Sequence, residues 1–150
     1  CKFVGGEGDV SEDQLNSKIK KLHLQNCVDY VGKKYGRDKE EFFSKADIFA
    51  FPTYYHNECF PLVLLEAMQF SLPIVSTFEG GISDIVEDGK TGFLVTQQDV
   101  QALANKLEEL ILNHKLRIKM GIAGRKLFDE KLTISHFERR MYEILNSVII

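Results

Sequence analysis

Two glutamates eight residues apart mark the stretch of this chain where polar chemistry meets an apolar helix. It reads Asn57-Glu58-Cys59-Phe60-Pro61-Leu62-Val63-Leu64-Leu65-Glu66-Ala67-Met68. Glu58 falls in a loop after a buried strand, and Glu66 falls inside the helix that follows. Glu66 stands among Leu62, Leu64, Leu65, Ala67 and Met68, where a charge is costly unless something binds it. Helical side chains lean toward the helix N-terminus, so Glu66 is expected to point back along the Leu62 face. The helix start is a natural anion seat, with unpaired amides and the positive end of the dipole. The stretch therefore reads as a phosphate seat flanked by two carboxylates that accept hydrogen bonds from hydroxyls. A sugar nucleotide offers sugar hydroxyls, diphosphate and ribose hydroxyls in that order. The plain alternative stays open at this level: Glu66 on a solvated edge and Glu58 an ordinary loop acid.

Other candidate motifs carry less. Gly5-Gly6-Glu7-Gly8 follows a strand and precedes a helix, but Ser11 stands where a dinucleotide fingerprint needs its last glycine. It is either a tight turn or a loop that approaches a ligand. Gly89-Lys90-Thr91 resembles the end of a phosphate loop, yet Asp84 replaces the glycine required five residues earlier, and a strand follows. Glu87-Asp88-Gly89 is read as a turn. His23, His56, His114 and His136 show no metal-ligand spacing. His56 either edges a ligand pocket or is a loop histidine without chemistry. Cys1, Cys27 and Cys59 form no CxxC pair and are expected to be reduced, mostly buried thiols.

The elements that must position Glu58 and Glu66 are legible as alternating runs. Residues 2–4, 28–31, 48–51, 73–76 and 92–95 are short apolar runs of the kind that form strands buried on both faces. Helical stretches lie between them, which predicts βαβ units and a parallel sheet. Ser11-Glu12-Asp13-Gln14 is a capping box, followed by Leu15, Ile19 and Leu22 at helical spacing. Asp38 to Glu41 opens a second helix, with Phe42 and Phe43 on its core side. Pro61 is expected as the first residue of a third, which ends near Phe70, before Pro73. From Asp99 onward the chain reads as helix. One stripe is Leu103, Leu107, Leu110 and Ile111; a break at Asn113-His114 leads to Leu116, Met120, Ala123 and Leu127. Thr133 or Ser135 caps a last helix carrying Phe137, Met141, Ile144 and Leu145.

The chain has 150 residues, 44% hydrophobic and 27% charged, with a net charge of −3. That is ordinary globular composition for one domain, 1–150, and argues against a general nucleic-acid or anionic-membrane binder. No apolar run approaches the roughly 20 residues of a membrane span. The first residue is not Met and lies inside an apolar run, so a piece of a longer protein is expected. Between His114 and Arg140, eight Lys/Arg face three Asp/Glu. A solvated face is the plain reading of that stretch; contact with another domain or a membrane surface is the sharper one.

The run Glu58 to Met68, with its two glutamates, resembles the signature of retaining glycosyltransferases of family four, the glycosyl transferases group 1. Phe3-Val4-Gly5-Gly6-Glu7-Gly8, Tyr30-Val31-Gly32 and Ala46-Asp47-Ile48-Phe49-Ala50-Phe51-Pro52-Thr53 resemble further family segments in order. So do Leu72-Pro73-Ile74-Val75-Ser76, Gly80-Gly81-Ile82-Ser83-Asp84-Ile85-Val86 and Asp88-Gly89-Lys90-Thr91-Gly92-Phe93-Leu94-Val95. The resemblance covers essentially the whole chain. It implies an α/β fold: a Rossmann-like parallel sheet flanked by helices, with a helical C-terminal tail, as in the donor-binding C-terminal half of a GT-B enzyme. It implies that Glu58 contacts hydroxyls of the transferred sugar, as the catalytic-site residue, and that Glu66 holds the ribose hydroxyls. Amides around Phe60, Leu62 and Val63 would hold the diphosphate, with Cys59 and Pro61 in the same wall. The base would lie near Gly32, Lys33 and Lys34. The last helix, from Ile134, would return to the N-terminal half.

The resemblance further implies a cytoplasmic enzyme that moves a sugar from a nucleoside-diphosphate sugar to a hydroxyl acceptor, a glycan, lipid or small molecule. No metal or cofactor is expected, no nucleic acid, and membrane contact only at the periphery of the full enzyme. Cys59 stands where Gly or Ser is common, and Pro61 where Gly is common. The family's diphosphate-clamping Arg and Lys match no residue of this chain and are expected upstream of Cys1, with the acceptor domain. The chain alone is then expected to be inactive. The rival reading is a non-catalytic binding module built on the same half.

Overall fold

The computed structural model describes residues 1–148. Its contacts divide the chain into two compact units, Cys1–Phe42 and Phe43–Ile150.

The first unit is a single βαβ crossover. Strand β1 (Lys2–Phe3) pairs in parallel with β2 (Asp29–Tyr30), in the register Lys2 to Asp29 and Phe3 to Tyr30. Helix α1 (Glu12–Lys21) connects them and buries Ile19. The expected capping box forms: Ser11 Oγ accepts from the Gln14 amide at 3.3 Å, and Gln14 Oε1 accepts from the Ser11 amide at 2.9 Å. Glu7 adds to it, its Oε1 accepting from the Glu12 amide at 2.7 Å. A carboxylate at that end also suits the helix dipole. Ser11→Ala is expected to cost about 1 kcal/mol, read as faster amide exchange across α1.

The expectation of strands buried on both faces fails for the run 48–51, where Ala50 is exposed, for β2, where Asp29 is exposed, and for β1, whose two residues are both exposed. Within its unit the ladder is only two strands wide. Its outer positions are Lys2 and Asp29, which pair with each other. That contact, first through its hydrogen bond and then through charge, holds the Asp29 carboxyl below the usual range. Helix α2 (Gly36–Ser44) starts two residues earlier than Asp38, at a glycine with φ of +50°. It runs across the division between the units, so that Phe43 belongs to the second.

The second unit carries a three-stranded parallel sheet, β3 (Phe49–Phe51), β4 (Ile74–Thr77) and β5 (Gly92–Val95), in that order. All of β4 and β5 is buried, as the apolar runs predicted. Period-two alternation sorts their side chains onto two faces. Ile74 and Leu94 join Phe43, Leu64, Ala67, Met68, Ile82 and Ile85 in one core cluster. Val75 and Phe93 join Leu110 and Met120 in another. Helix α3 (Leu62–Gln69) crosses from β3 to β4, and the single turn α4 (Ile82–Ile85) lies between β4 and β5.

The helical tail is α5 (Val100–Leu112), α6 (His114–Leu127), a π-helical turn (Phe128–Leu132) and α7 (Ile134–Val148). Asp99 caps α5 and Asn113 caps α6, each accepting an amide three residues on, at 2.8 and 3.0 Å. Thr133 stands at the start of α7, its hydroxyl 3.4 Å from the His136 amide. Gly121 lets α6 lie against the turn before β4; a Cβ there would stand 1.9 Å from the Ser71 carbonyl oxygen.

Several expectations are corrected here. Pro61 sits at the cap of α3, one residue before the helix, where its extended backbone (ψ 105°) turns the chain in. Ile111 is exposed, because α5 ends one residue later and turns Leu103, Leu107 and Leu110, but not Ile111, toward the core. Not all of the basic stretch is a solvated face. Arg117 donates to the Leu110 and Ile111 carbonyls at 2.9 and 3.2 Å and so closes the end of α5. Arg125 donates to the Gln69 carbonyl at 2.6 Å and bonds Asp129 at 2.8 Å, which raises its pKa. All three cysteines are free, and all three are exposed rather than buried, because each falls at a chain end or in a loop. The apolar side chains of α7 are exposed, and none of its described residues is buried. Among the described residues no helix is long and apolar enough to cross a membrane.

Candidate functional site

The site is built where β3 and β4 end. In open parallel α/β sheets, ligands bind beyond the carboxyl ends of the strands. The loop at residues 52–60 leaves the end of β3, and the segment Phe78-Glu79-Gly80-Gly81 leaves the end of β4. Two buried hydroxyls at the end of β4 hold the first loop by its main chain. Ser76 Oγ donates to the Phe51 carbonyl and Thr77 Oγ1 to the Thr53 carbonyl, each at 2.7 Å. A turn then forms at residues 55–58, closed by the Glu58 amide on the Tyr55 carbonyl at 2.9 Å.

The second segment seals the far end of the loop. The Gly81 amide donates to the Cys59 carbonyl at 2.6 Å. Gly80 has φ of +47°, and a Cβ there would stand 1.8 Å from the Glu58 carbonyl oxygen. At Gly81 the corresponding distance to the Cys59 oxygen is 2.6 Å. Both positions therefore need glycine for close backbone approach. Glu79 is held by Gln97, which donates to its carboxylate.

Helix α3 rises from this frame. Pro61 is buried and supplies no amide. The first intrahelical bond runs from the Leu64 amide to the Pro61 carbonyl at 3.0 Å, so the Leu62 and Val63 amides precede it. Leu64, Ala67 and Met68 are fully buried, while Leu62 is 66% exposed. Glu66 lies one turn on from Leu62, on the side of the helix opposite the buried three, and is half-buried. A carboxylate on that side explains how an otherwise apolar helix carries one: it never enters the core.

The second unit thus brings Glu58, Cys59, Phe60, Pro61, Leu62, Val63 and Glu66 together around one loop and one helix start. Glu58 is half-buried; Cys59 and Phe60 are exposed. Gly32, Lys33 and Lys34 belong to the first unit, on the turn after β2. Gly32 has φ of +69°, and its carbonyl accepts from the Gly5 amide at 3.1 Å. The Lys33 stem lies over Gly6, where a Cβ would stand 2.1 Å from its Cε. Lys90 is paired with Glu87 in the turn read for it. Among the described residues no group of three or more His, Cys, Asp or Glu could hold a metal ion.

The sequence pointed to the glutamates but not to Ser76, Thr77 and the Gly80–Gly81 clamp as the parts that fix them. Two hydroxyl residues ending an apolar run, and a glycine doublet just after it, are the signal that could have found these.

A family model described as "Glycosyl transferases group 1" matches residues 1–127. A capsular polysaccharide biosynthesis glycosyltransferase, CapM, from Staphylococcus aureus is 37% identical over 112 residues, covering 75% of this chain and 29% of that protein. An amylovoran biosynthesis glycosyltransferase, AmsK, from Erwinia amylovora is 32% identical over 144 residues, covering 93% of this chain and 35% of that protein. The chain therefore spans about a third of the length of these relatives. Among solved structures, Anabaena Alr3699/HepE in complex with UDP superposes with a TM-score of 0.87 at 25% identity, covering 98% of this chain and 40% of that one. The same protein has been solved with UDP-glucose, at a TM-score of 0.84.

Proposed function

Because the chain belongs to the glycosyl transferases group 1 family, we propose that it binds the nucleoside-diphosphate-sugar donor of a retaining glycosyltransferase. The fold agrees with the expected α/β architecture of GT-B enzymes. One observation carries the donor reading: Glu58, the leading amides of α3 and Glu66 are fixed in sequence along one loop and helix, held from behind by main-chain contacts. Their order suits sugar hydroxyls at Glu58, diphosphate at the Leu62 and Val63 amides, and ribose hydroxyls at Glu66. The α3 dipole offsets charge that grows on the diphosphate as the sugar leaves, so this reading needs no divalent ion. The UDP and UDP-glucose complexes of the Anabaena protein support a UDP-sugar as the first donor to try. The polysaccharide roles of the two bacterial relatives support a glycan hydroxyl as acceptor.

Calorimetric titration of the protein at its full natural length with UDP and UDP-glucose tests this. Glu66→Ala removes hydrogen bonds from charged oxygen and is expected to weaken UDP binding by about 10–100-fold. Failure of the natural protein to bind UDP, GDP or ADP sugars overturns the reading. So does a Glu66→Ala protein that binds UDP as tightly as the original.

A further inference from the structure

The loop that carries Glu58 also carries a run of rings that the fold does not use. Tyr54 is 53% exposed and Tyr55 59% exposed, and His56 is exposed beside them. Tyr54 and His56 meet edge to face, with ring centroids 5.1 Å apart and planes at 65°. Scattered apolar groups on a surface are normal, but adjacent exposed rings beside a carboxylate are not scattered.

Their exposure is imposed rather than a consequence of a loose loop. The main chain is pinned on one side of the rings by Thr77 Oγ1 on the Thr53 carbonyl, and on the other by the Glu58 amide on the Tyr55 carbonyl. The rings are therefore presented on a fixed turn within four residues of Glu58. Small-molecule sites characteristically combine aromatic walls with few, well-placed polar groups.

Resting on the donor reading above, we infer that the exposed Tyr54 ring, braced edge to face by His56, is a platform for the apolar face of a pyranose ring whose hydroxyl edge is read by Glu58. A pyranose has both surfaces: C–H bonds on its face and hydroxyls around its rim. The flat faces of aromatic rings suit the first, and a carboxylate suits the second. The platform takes either the transferred sugar of the donor or the terminal sugar of a glycan acceptor. The chemistry is the same for both.

The experiment compares UDP with UDP-glucose on the natural protein and on Tyr54→Ala, Tyr54→Phe and His56→Ala, with thermal melting to show that each variant folds. UDP carries the base and diphosphate but no pyranose, so it reports the rest of the site. If the platform holds the transferred sugar, Tyr54→Ala lowers UDP-glucose affinity by about tenfold and leaves UDP affinity unchanged. Tyr54→Phe keeps the ring and keeps the affinity. If the platform holds the acceptor, both donor affinities stay and binding of methyl α-glucoside to the UDP complex, followed by saturation-transfer NMR, is lost in Tyr54→Ala. Equal losses for UDP and UDP-glucose mean that the rings stack on the base and overturn the inference. Unchanged binding of both UDP-glucose and the glucoside overturns it too, while leaving the donor reading intact. No UDP binding by the natural protein overturns both.

Discussion

Gly80→Ala is expected to abolish measurable UDP-glucose binding in a protein that still folds. The glycine sits at φ +47°, a left-handed conformation that costs an L-residue about 1–2 kcal/mol. The steric term is larger. The new Cβ would stand 1.8 Å from the Glu58 carbonyl oxygen and 2.9 Å from its carbonyl carbon. Both are main-chain atoms and cannot swing aside as the end of a side chain can. The two segments must separate, and the Gly81 to Cys59 hydrogen bond lies directly in the way. Glu58 and the start of α3 move with that separation. Losing two charge-assisted hydrogen bonds to the ligand, at about 1.5–3 kcal/mol each, weakens binding by more than about 100-fold. The core clusters do not include this exposed turn, so the melting temperature falls by no more than about 10 °C. Calorimetry and a melting curve read the two effects separately. Binding at the original affinity would show that the clamp does not set the site.

Gly92→Ala, by contrast, is expected to remove the fold. In register opposite Ile74, a Cβ on Gly92 would stand 2.0 Å from the Ile74 oxygen and 2.9 Å from its nitrogen. Strands β4 and β5 share four paired positions, from Ile74–Gly92 to Thr77–Val95. Forcing them apart opens both clusters, because Ile74 and Leu94 anchor one and Val75 and Phe93 the other. We expect a loss above about 4 kcal/mol, at the far tail of single substitutions. That is a large part of the roughly 5–15 kcal/mol that hold a domain together. A Gly8→Ala protein is the control, since nothing lies within 4 Å of the added Cβ there. Its urea midpoint should stay at the original value while Gly92→Ala has no cooperative transition. A cooperative Gly92→Ala transition at the same midpoint would refute the close-approach argument.

The contrast explains what was legible in the sequence. Strands β4 and β5 could be read from uninterrupted apolar runs because both their faces are covered. The helix ends could be read because Ser11, Asp99 and Asn113 cap through their own side chains, a local interaction. Glu58 and Glu66 stood out because a carboxylate among leucines breaks a pattern. What could not be read depends on partners distant along the chain. The Gly80 clamp pairs residues more than twenty positions apart, and nothing near Glu58 announces it. Likewise Arg125 reads as one more surface cation until its bond to the Gln69 carbonyl, across 56 positions, is seen. The exposure of β1 follows from the width of its ladder, which the run Lys2-Phe3-Val4 does not state. The π-helical turn has no sequence mark at all, since Phe128 to Leu132 satisfies the ordinary helical pattern.

The loop bearing Glu58 is fixed by carbonyls, amides, two hydroxyls and glycine, and the side chains at 54–56 add only the ring contact of Tyr54 with His56. Those three positions therefore carry little structural duty. Substitutions there give up at most the ring contact, about 0.5–1.5 kcal/mol, and leave the main-chain bonds that aim Glu58 in place. An architecture of this kind separates what recognises the ligand from what holds the backbone. It lets selection, or an engineer, retune recognition at 54–56 one residue at a time.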